Sequence, residues 1–202
     1  MTLDTYREKR DFRRTPEPKG ADVKDSQERR FVIHKHDSAN PHYDLRLEID
    51  GVLKSWVVPK GPSLDTRERR LGMPTEDHPI EYLNFEGVIP EGEYGAGPII
   101  VWDFGSYRNL RADKEDDWSS MEAAMEDGKI EFWLEGKKIE GGFALIRTDD
   151  EAEEEEERWL LVKMDDEAAE PDAHMASMQQ RSVISGFTTE EILEETRVSA
   201  PA

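Results

Sequence analysis

No cysteine occurs in the chain, which excludes disulfides, thiolate zinc sites and a cysteine nucleophile and fits a reducing intracellular compartment. Any metal must then sit on His, Asp or Glu. No stretch approaches the run of about eighteen apolar residues that a membrane-spanning helix needs, and residues 1–10 lack the apolar core of a signal peptide. A soluble, cytoplasmic protein without a membrane partner is expected. Internal repeats are absent, and basic charge is scarce, with 27 Lys and Arg against 47 Asp and Glu for a net charge of −20. That balance argues against a generic nucleic-acid binder, because phosphate neutralisation supplies most non-specific affinity.

The deficit is uneven. Residues 1–110 hold 17 basic and 20 acidic side chains, whereas residues 111–202 hold 10 and 27. Basic clusters at Arg7, Lys9, Arg10, Arg13 and Arg14, and at Arg67, Arg69 and Arg70, can meet phosphates while the acidic half faces water. As plain surface charge they would do no more than keep the chain soluble.

With 202 residues and 36% hydrophobic content, one domain with a real core is expected. Its parts are an N-terminal arm over 1–30 that contributes to the site, a β core over 31–164, and a polar connection with a short C-terminal helix over 165–202. Pro16 and Pro18 break any long helix in the arm, which therefore wraps the domain. Beyond it, apolar alternation predicts short strands at 31–36, 42–49, 52–59, 80–85, 99–104, 129–134, 142–147 and 159–164. Asp50-Gly51 is a type I′ hairpin signal. About eight strands at this spacing favour an antiparallel barrel or sandwich. Helices are expected only at 118–127, stopped by Gly128, and from a Thr188–Glu191 capping box to about residue 195. The acidic run 149–157 is too self-repelling to pack, and 165–180 reads as a loose connection.

Chemistry concentrates in residues 34–48. In a strand, alternate side chains share a face, so His42, Asp44, Arg46 and Glu48 project together while Tyr43, Leu45, Leu47 and Ile49 line the core. His36 lies six positions before His42, with Asn40-Pro41 between them, so the two imidazoles can converge across a turn. Two imidazoles and a carboxylate suit a borderline divalent ion such as Mn, Fe or Zn and leave coordination positions open. Arg46 on the same face adds a planar fork for phosphate oxygens, and a cation beside a metal makes sense with an anion between them. Two readings stay open on pattern alone: a metal-assisted phosphate site, or an amphipathic strand whose polar face meets water with Arg46 paired to Asp44 or Glu48.

The order of motifs narrows the choice. Segment 6–12 with Thr15–Pro18, the run Phe31 to His36, His42 to Glu48, Gly51 to Ser63, Glu76 to Pro79, Phe85 to Gly97 and Val101 to Gly105 together resemble the 3′-phosphoesterase domain of bacterial and archaeal DNA ligase D. That domain is the end-healing module of prokaryotic non-homologous end joining. The resemblance is dense over 3–110 and reaches residue 195 more loosely.

It implies a small antiparallel β-barrel of about eight strands with an N-terminal arm and one or two short flanking helices. It further implies a Mn ion on His36, His42 and Asp44, with Co or Zn as substitutes, and Arg46 and His78 on the scissile phosphate. Lys60 and Arg70 would be supporting cations, and Arg10, Asp11, Glu17, Glu76 and Tyr82 further residues around the site. The basic arm would fold over the barrel mouth. The implied reaction is removal of a 3′-terminal ribonucleoside, then of the 3′-phosphate, from primer ends of DNA or RNA/DNA.

His34 stands where the family commonly has Gln, and Phe187 where Arg is common. The length leaves no room for ligase or polymerase modules, so a free-standing protein working with separate ligase and polymerase partners is expected. The alternative function is a non-catalytic subunit that binds DNA ends and recruits a ligase. A phosphoesterase for small nucleotides is a third.

Overall fold

A computed structural model of the chain describes residues 3–21, 29–112, 120–148, 157–172 and 179–199. Among these described residues nine strands run β1 Arg30–His36, β2 His42–Ile49, β3 Val52–Val58, β4 Arg69–His78, β5 Gly87–Ile89, β6 Gly97–Asn109, β7 Lys129–Glu135, β8 Glu140–Arg147 and β9 Trp159–Lys163. Helices are α1 Asp4–Glu8, α2 Met121–Asp127 and α3 Thr189–Ser199, with a 3-10 helix at Ile80–Asn84. All strand pairs are antiparallel, in the order β1-β2-β3-β4-β9-β8-β7-β6, and the β1–β6 pairing closes eight of them into a barrel. β5 is the extra strand on β6. No helix among the described residues is long and apolar enough to cross a membrane.

Local chemistry explains the turns that fix this register. Asp50 and Gly51 both adopt positive φ, 52° and 73°, and Ile49 pairs with Val52, as a type I′ hairpin requires. Thr188 Oγ1 accepts the Glu191 N–H at 3.2 Å while the Glu191 carboxylate accepts the Thr188 N–H at 2.9 Å, a reciprocal capping box. Ser120 caps α2 by accepting the Ala123 N–H at 3.0 Å, and Gly128 ends it in a left-handed conformation.

The barrel is packed on both sides of its β1–β3 wall. Phe31, Ile33, Tyr43, Leu45, Leu47, Trp56, Phe132 and Phe143 fill the interior. The alternate residues Val32, Leu53, Ile99 and Val101 face outward, yet they too are buried, under Tyr6 of the arm and Tyr82 and Leu83 of the 3-10 helix. Tyr6 is fully buried and donates to the Pro18 carbonyl at 2.6 Å; burial of a ring this size stabilises by about 2–3 kcal/mol. β2 is consequently buried along nearly its whole length, from Tyr43 to Ile49. Its polar face is not a free surface: Glu48 takes a bidentate pair from Arg30, at 2.6 and 3.0 Å.

Several expectations are corrected. The segment expected as a strand at 80–85 is the 3-10 helix, because Pro79 opens a turn whose carbonyl accepts the Tyr82 N–H at 2.9 Å and whose apolar side chains pack into the outer cluster. β4 has no counterpart among the expected strands, since Arg69–His78 carries Gly72, Pro74 and charges in place of apolar alternation. β6 extends to Asn109 and α3 to Ser199. The arm contains the short helix α1, packs on the outer wall through Tyr6 and brings Arg10 to the cavity described below. The described part of the 165–180 connection is tied down: Asp166 accepts from Lys163 Nζ at 2.6 Å and from the Gly142 N–H at 2.7 Å. Residues 118–119 of the expected helix and 149–156 of the acidic run lie outside the described residues.

Candidate active site

Pairing of β1 with β2 sets His36 opposite His42, His34 opposite Asp44 and Val32 opposite Arg46, all on the outer wall. His36 Nδ1 lies 4.0 Å from Asp44 Oδ2, and His42 Nε2 lies 3.6 Å from Asp44 Oδ1. One ligand atom from each of the three falls within 4.8 Å of the others. Each ring is turned by a backbone carbonyl. His36 donates Nε2–H to Gly95 O at 2.8 Å, and His42 donates Nδ1–H to Asn40 O at 2.8 Å. The unprotonated nitrogens are thereby left facing the carboxylate, the arrangement that metal-binding imidazoles require.

Burial lowers the His36 pKa despite the Asp44 charge, favouring the neutral, ligating form. At His42 burial also lowers, but the hydrogen bond and charge of Asp44 outweigh it and raise the pKa. Burial would raise the Asp44 carboxyl, yet Arg46 and the two imidazoles hold it well below the usual carboxylate range. The donor set, its tautomers and its one ionised carboxylate fit a borderline divalent cation.

Arg46 is held on every side. Its Nε donates to His34 Nδ1 at 3.4 Å, Nη1 to Ser55 Oγ at 2.7 Å, and Nη2 lies 3.2 Å from Asp44 Oδ2. The Tyr82 ring supports the guanidinium at 5.1 Å. Each terminal nitrogen keeps a further N–H for an anion. His34 thus serves Arg46, and burial together with the Arg46 charge lowers its pKa to about 3. Its side chain is not one of the three converging ligands.

Beneath the site, Arg10 of the arm bonds Glu17 at 2.9 Å and Glu76 at 3.0 Å, lies 3.9 Å from the Tyr6 ring centroid, and directs Nη2 at His78 Nε2 from 3.3 Å. His78 donates Nδ1–H to the Glu76 carbonyl at 2.8 Å. Burial, then Arg46 and Arg10, push the His78 pKa well below its ordinary value, so the resting ring is neutral with a bare Nε2. Tyr82 donates to Glu17 at 2.8 Å. Glu76 would be raised by burial, but bonds from Thr75, Lys9 and Arg10 and the nearby His78 bring it down to about 2.

These side chains line one open cavity of about 550 Å³. Of the residues expected from sequence, His36, His42, Asp44, Arg46, His78, Arg10, Glu76 and Tyr82 line it, and Glu17 supports it through Arg10 and Tyr82. Three do not reach it. Asp11 is paired with Arg13 at 2.8 Å, Arg70 is paired with Glu68, and Lys60 is exposed in the turn after β3. Sequence reasoning missed the orienting carbonyls of Asn40 and Gly95, the Ser55 anchor of Arg46, and Glu93 and Tyr94 at the cavity wall. The signals available were Asn40-Pro41 and the glycine-rich segment 92–97, which mark backbone committed to special geometry.

Comparison with known proteins follows the same lines. The family model described as DNA Ligase D 3'-phosphoesterase domain matches residues 34–147. The multifunctional non-homologous end joining protein LigD of Pseudomonas aeruginosa is 47% identical over 166 residues, 81% of this chain and 19% of that protein. Its namesake in Mycolicibacterium smegmatis is 43% identical over 166 residues, 82% of this chain and 21% of the relative. The multifunctional non-homologous end joining DNA repair protein LigD of Mycobacterium tuberculosis is 42% identical over 163 residues, covering 80% and 20% respectively. The chain spans about a fifth of the length of these curated relatives.

Proposed function

Since this chain belongs to the DNA ligase D 3′-phosphoesterase domain family, we propose that it is a metal-dependent phosphoesterase that heals 3′ ends for non-homologous end joining. Its substrates are primer 3′ ends in DNA or RNA/DNA. In the first step water adds to phosphorus and the P–O5′ bond to a terminal ribonucleoside breaks, leaving a 3′-phosphate. In the second a further water adds to phosphorus and the P–O3′ bond breaks, releasing phosphate and exposing 3′-OH for separate ligase and polymerase proteins.

The observation that carries this reading is the pair of imidazoles, each turned by a backbone carbonyl so that its free nitrogen faces Asp44, with Arg46 alongside. His36, His42 and Asp44 would hold Mn, with Co or Zn as substitutes. A divalent ion held there supplies Lewis-acid polarisation of a phosphate oxygen. Arg46 binds the nonbridging oxygens with its uncommitted N–H groups and offsets the charge that builds on them. His78, fixed through Nδ1, has a bare Nε2 that can take the proton of the attacking water and pass it on to the leaving oxygen. Arg10, its charge balanced by Glu17 and Glu76, orients that ring.

The test is digestion of a 5′-labelled primer-template ending in one ribonucleotide, across divalent metals, with 3′-phosphate and 3′-OH products resolved. Wild type trims the end in Mn and not in EDTA, while His42→Ala and Arg46→Ala give no product. Undiminished turnover in both variants removes the site assignment. End binding without hydrolysis under any metal makes the protein a scaffolding subunit instead.

A further inference from the structure

We infer that Tyr94 is a stacking platform for a nucleobase that adjoins the scissile phosphate; the inference rests on the function proposed above. Tyr94 is the one aromatic side chain left exposed among the described residues, at 49%, and it lines the cavity that holds the metal triad and Arg46. An aromatic ring open to water at the wall of a polar cavity forgoes the burial that stabilises the other rings near it, so its surface is available to a ligand.

Its position is fixed from two sides. The next residue, Gly95, is the one whose carbonyl orients His36, so the ring is one peptide unit from a ligand's anchor. It also stands at the tip of a tight double turn, in which the Pro90 carbonyl accepts the Glu93 N–H at 3.1 Å and the Glu93 carbonyl accepts the Ala96 N–H at 3.2 Å. Cations complete the setting. Lys9 Nζ sits 4.6 Å from the ring centroid and the Arg10 guanidinium 5.6 Å from it, while Arg10 reaches His78 with its far nitrogen.

A strand whose phosphate lies between Arg46 and His78 therefore meets, within one nucleotide's reach, a ring flanked by positive charge. Bases of any identity present a π-face, so stacking suits an enzyme that must accept ends of any sequence, and cations beside the ring serve the backbone. The base can belong to the departing nucleoside or to the one that keeps the phosphate; the chemistry recognised is the same.

The test compares wild type, Tyr94→Phe and Tyr94→Ala in two measurements. Binding is read in EDTA from quenching of 2-aminopurine placed on either side of the scissile phosphate. Turnover is read in Mn on normal ends and on ends made abasic at each of those positions. Expected are quenching by wild type and Tyr94→Phe but not by Tyr94→Ala, and a KM raised about tenfold by Tyr94→Ala with little change in kcat. On the abasic end that lacks the stacked base, wild type and Tyr94→Ala become equal, which also identifies which base is held. Equal loss in Tyr94→Ala on normal and both abasic ends overturns the inference, as does a Tyr94→Phe variant as poor as Tyr94→Ala, which would assign the effect to the hydrogen bond that Lys9 Nζ donates to the Tyr94 hydroxyl at 3.4 Å. Absence of turnover on every substrate by wild type defeats the proposed function alone, because quenching is read without it.

Discussion

Replacing Arg10 by Met is the sharpest perturbation of the arm. The Arg10 side chain is 5% exposed, and its partners Glu17 and Glu76 are 1% and 2% exposed. Removing one member of such a buried set costs about 3–5 kcal/mol, because the carboxylates left behind have lost both water and counter-ion. The losses fall unequally: Glu76 keeps Lys9 at 3.0 Å and Thr75 at 2.6 Å, whereas Glu17 keeps only neutral hydroxyl donors, Thr15 and Tyr82, both at 2.8 Å. The stranded charge is therefore mainly that of Glu17. Adding Glu17→Gln should neutralise it and recover part of the stability, so that the two substitutions couple by more than about 1 kcal/mol. Urea unfolding followed by tryptophan fluorescence, with the buried Trp56, Trp102 and Trp159 as reporters, measures all four species. A loss below about 1 kcal/mol in Arg10→Met, or a double variant that is simply the sum of its parts, would refute the reasoning.

The remaining expectations concern acid and the arginine anchor. Glu76 titrates at about 2 in the folded chain against 4.5 ordinarily, so its contribution is complete above pH 4.5 and is lost as pH falls toward 2; urea midpoints across that window should decline less steeply in Glu76→Gln than in wild type. Ser55→Ala removes the 2.7 Å acceptor of Arg46 Nη1. A hydrogen bond to a charged group is worth about 1.5–3 kcal/mol, so kcat on a ribonucleotide-terminated primer should drop roughly tenfold or more while folding is retained, and an unchanged kcat would show that Asp44 and Tyr82 suffice to hold the guanidinium.

Local rules carried a large part of the fold. Asp50-Gly51 and the Thr188–Glu191 box specify their own geometry within four residues, and the alternation of β2 placed Asp44 and Arg46 on one face because the pleat has only two. What stayed hidden depended on partners distant in sequence. β4 is a strand because β3 and β9 flank it, whatever its composition. The outward face of β2 is largely buried because the arm and the 3-10 helix pack over it and leave His42, Asp44 and Arg46 at the wall of a cavity, and no pattern within 42–49 announces a cover supplied by Tyr6 and Tyr82. The carbonyls of Asn40 and Gly95 carry no side-chain signature at all. Lys60 and Arg70 are the expected supporting cations and Arg10 only one of the further residues; the three-dimensional path of the chain brings Arg10, and neither of the other two, to the cavity lining.

His36, His42, Asp44 and Arg46 all belong to the β1–β2 hairpin, so their mutual spacing is a matter of neighbouring residues pairing across one turn. Closing the ring, by contrast, joins β1 to β6 across most of the first half of the chain. The reactive quartet is therefore a short-range module set into a long-range container. Insertions or deletions in the connections between β6 and β7, or between β8 and β9, can accumulate without altering a single distance among the four, whereas one residue added between His36 and His42 would rotate half of them out of register.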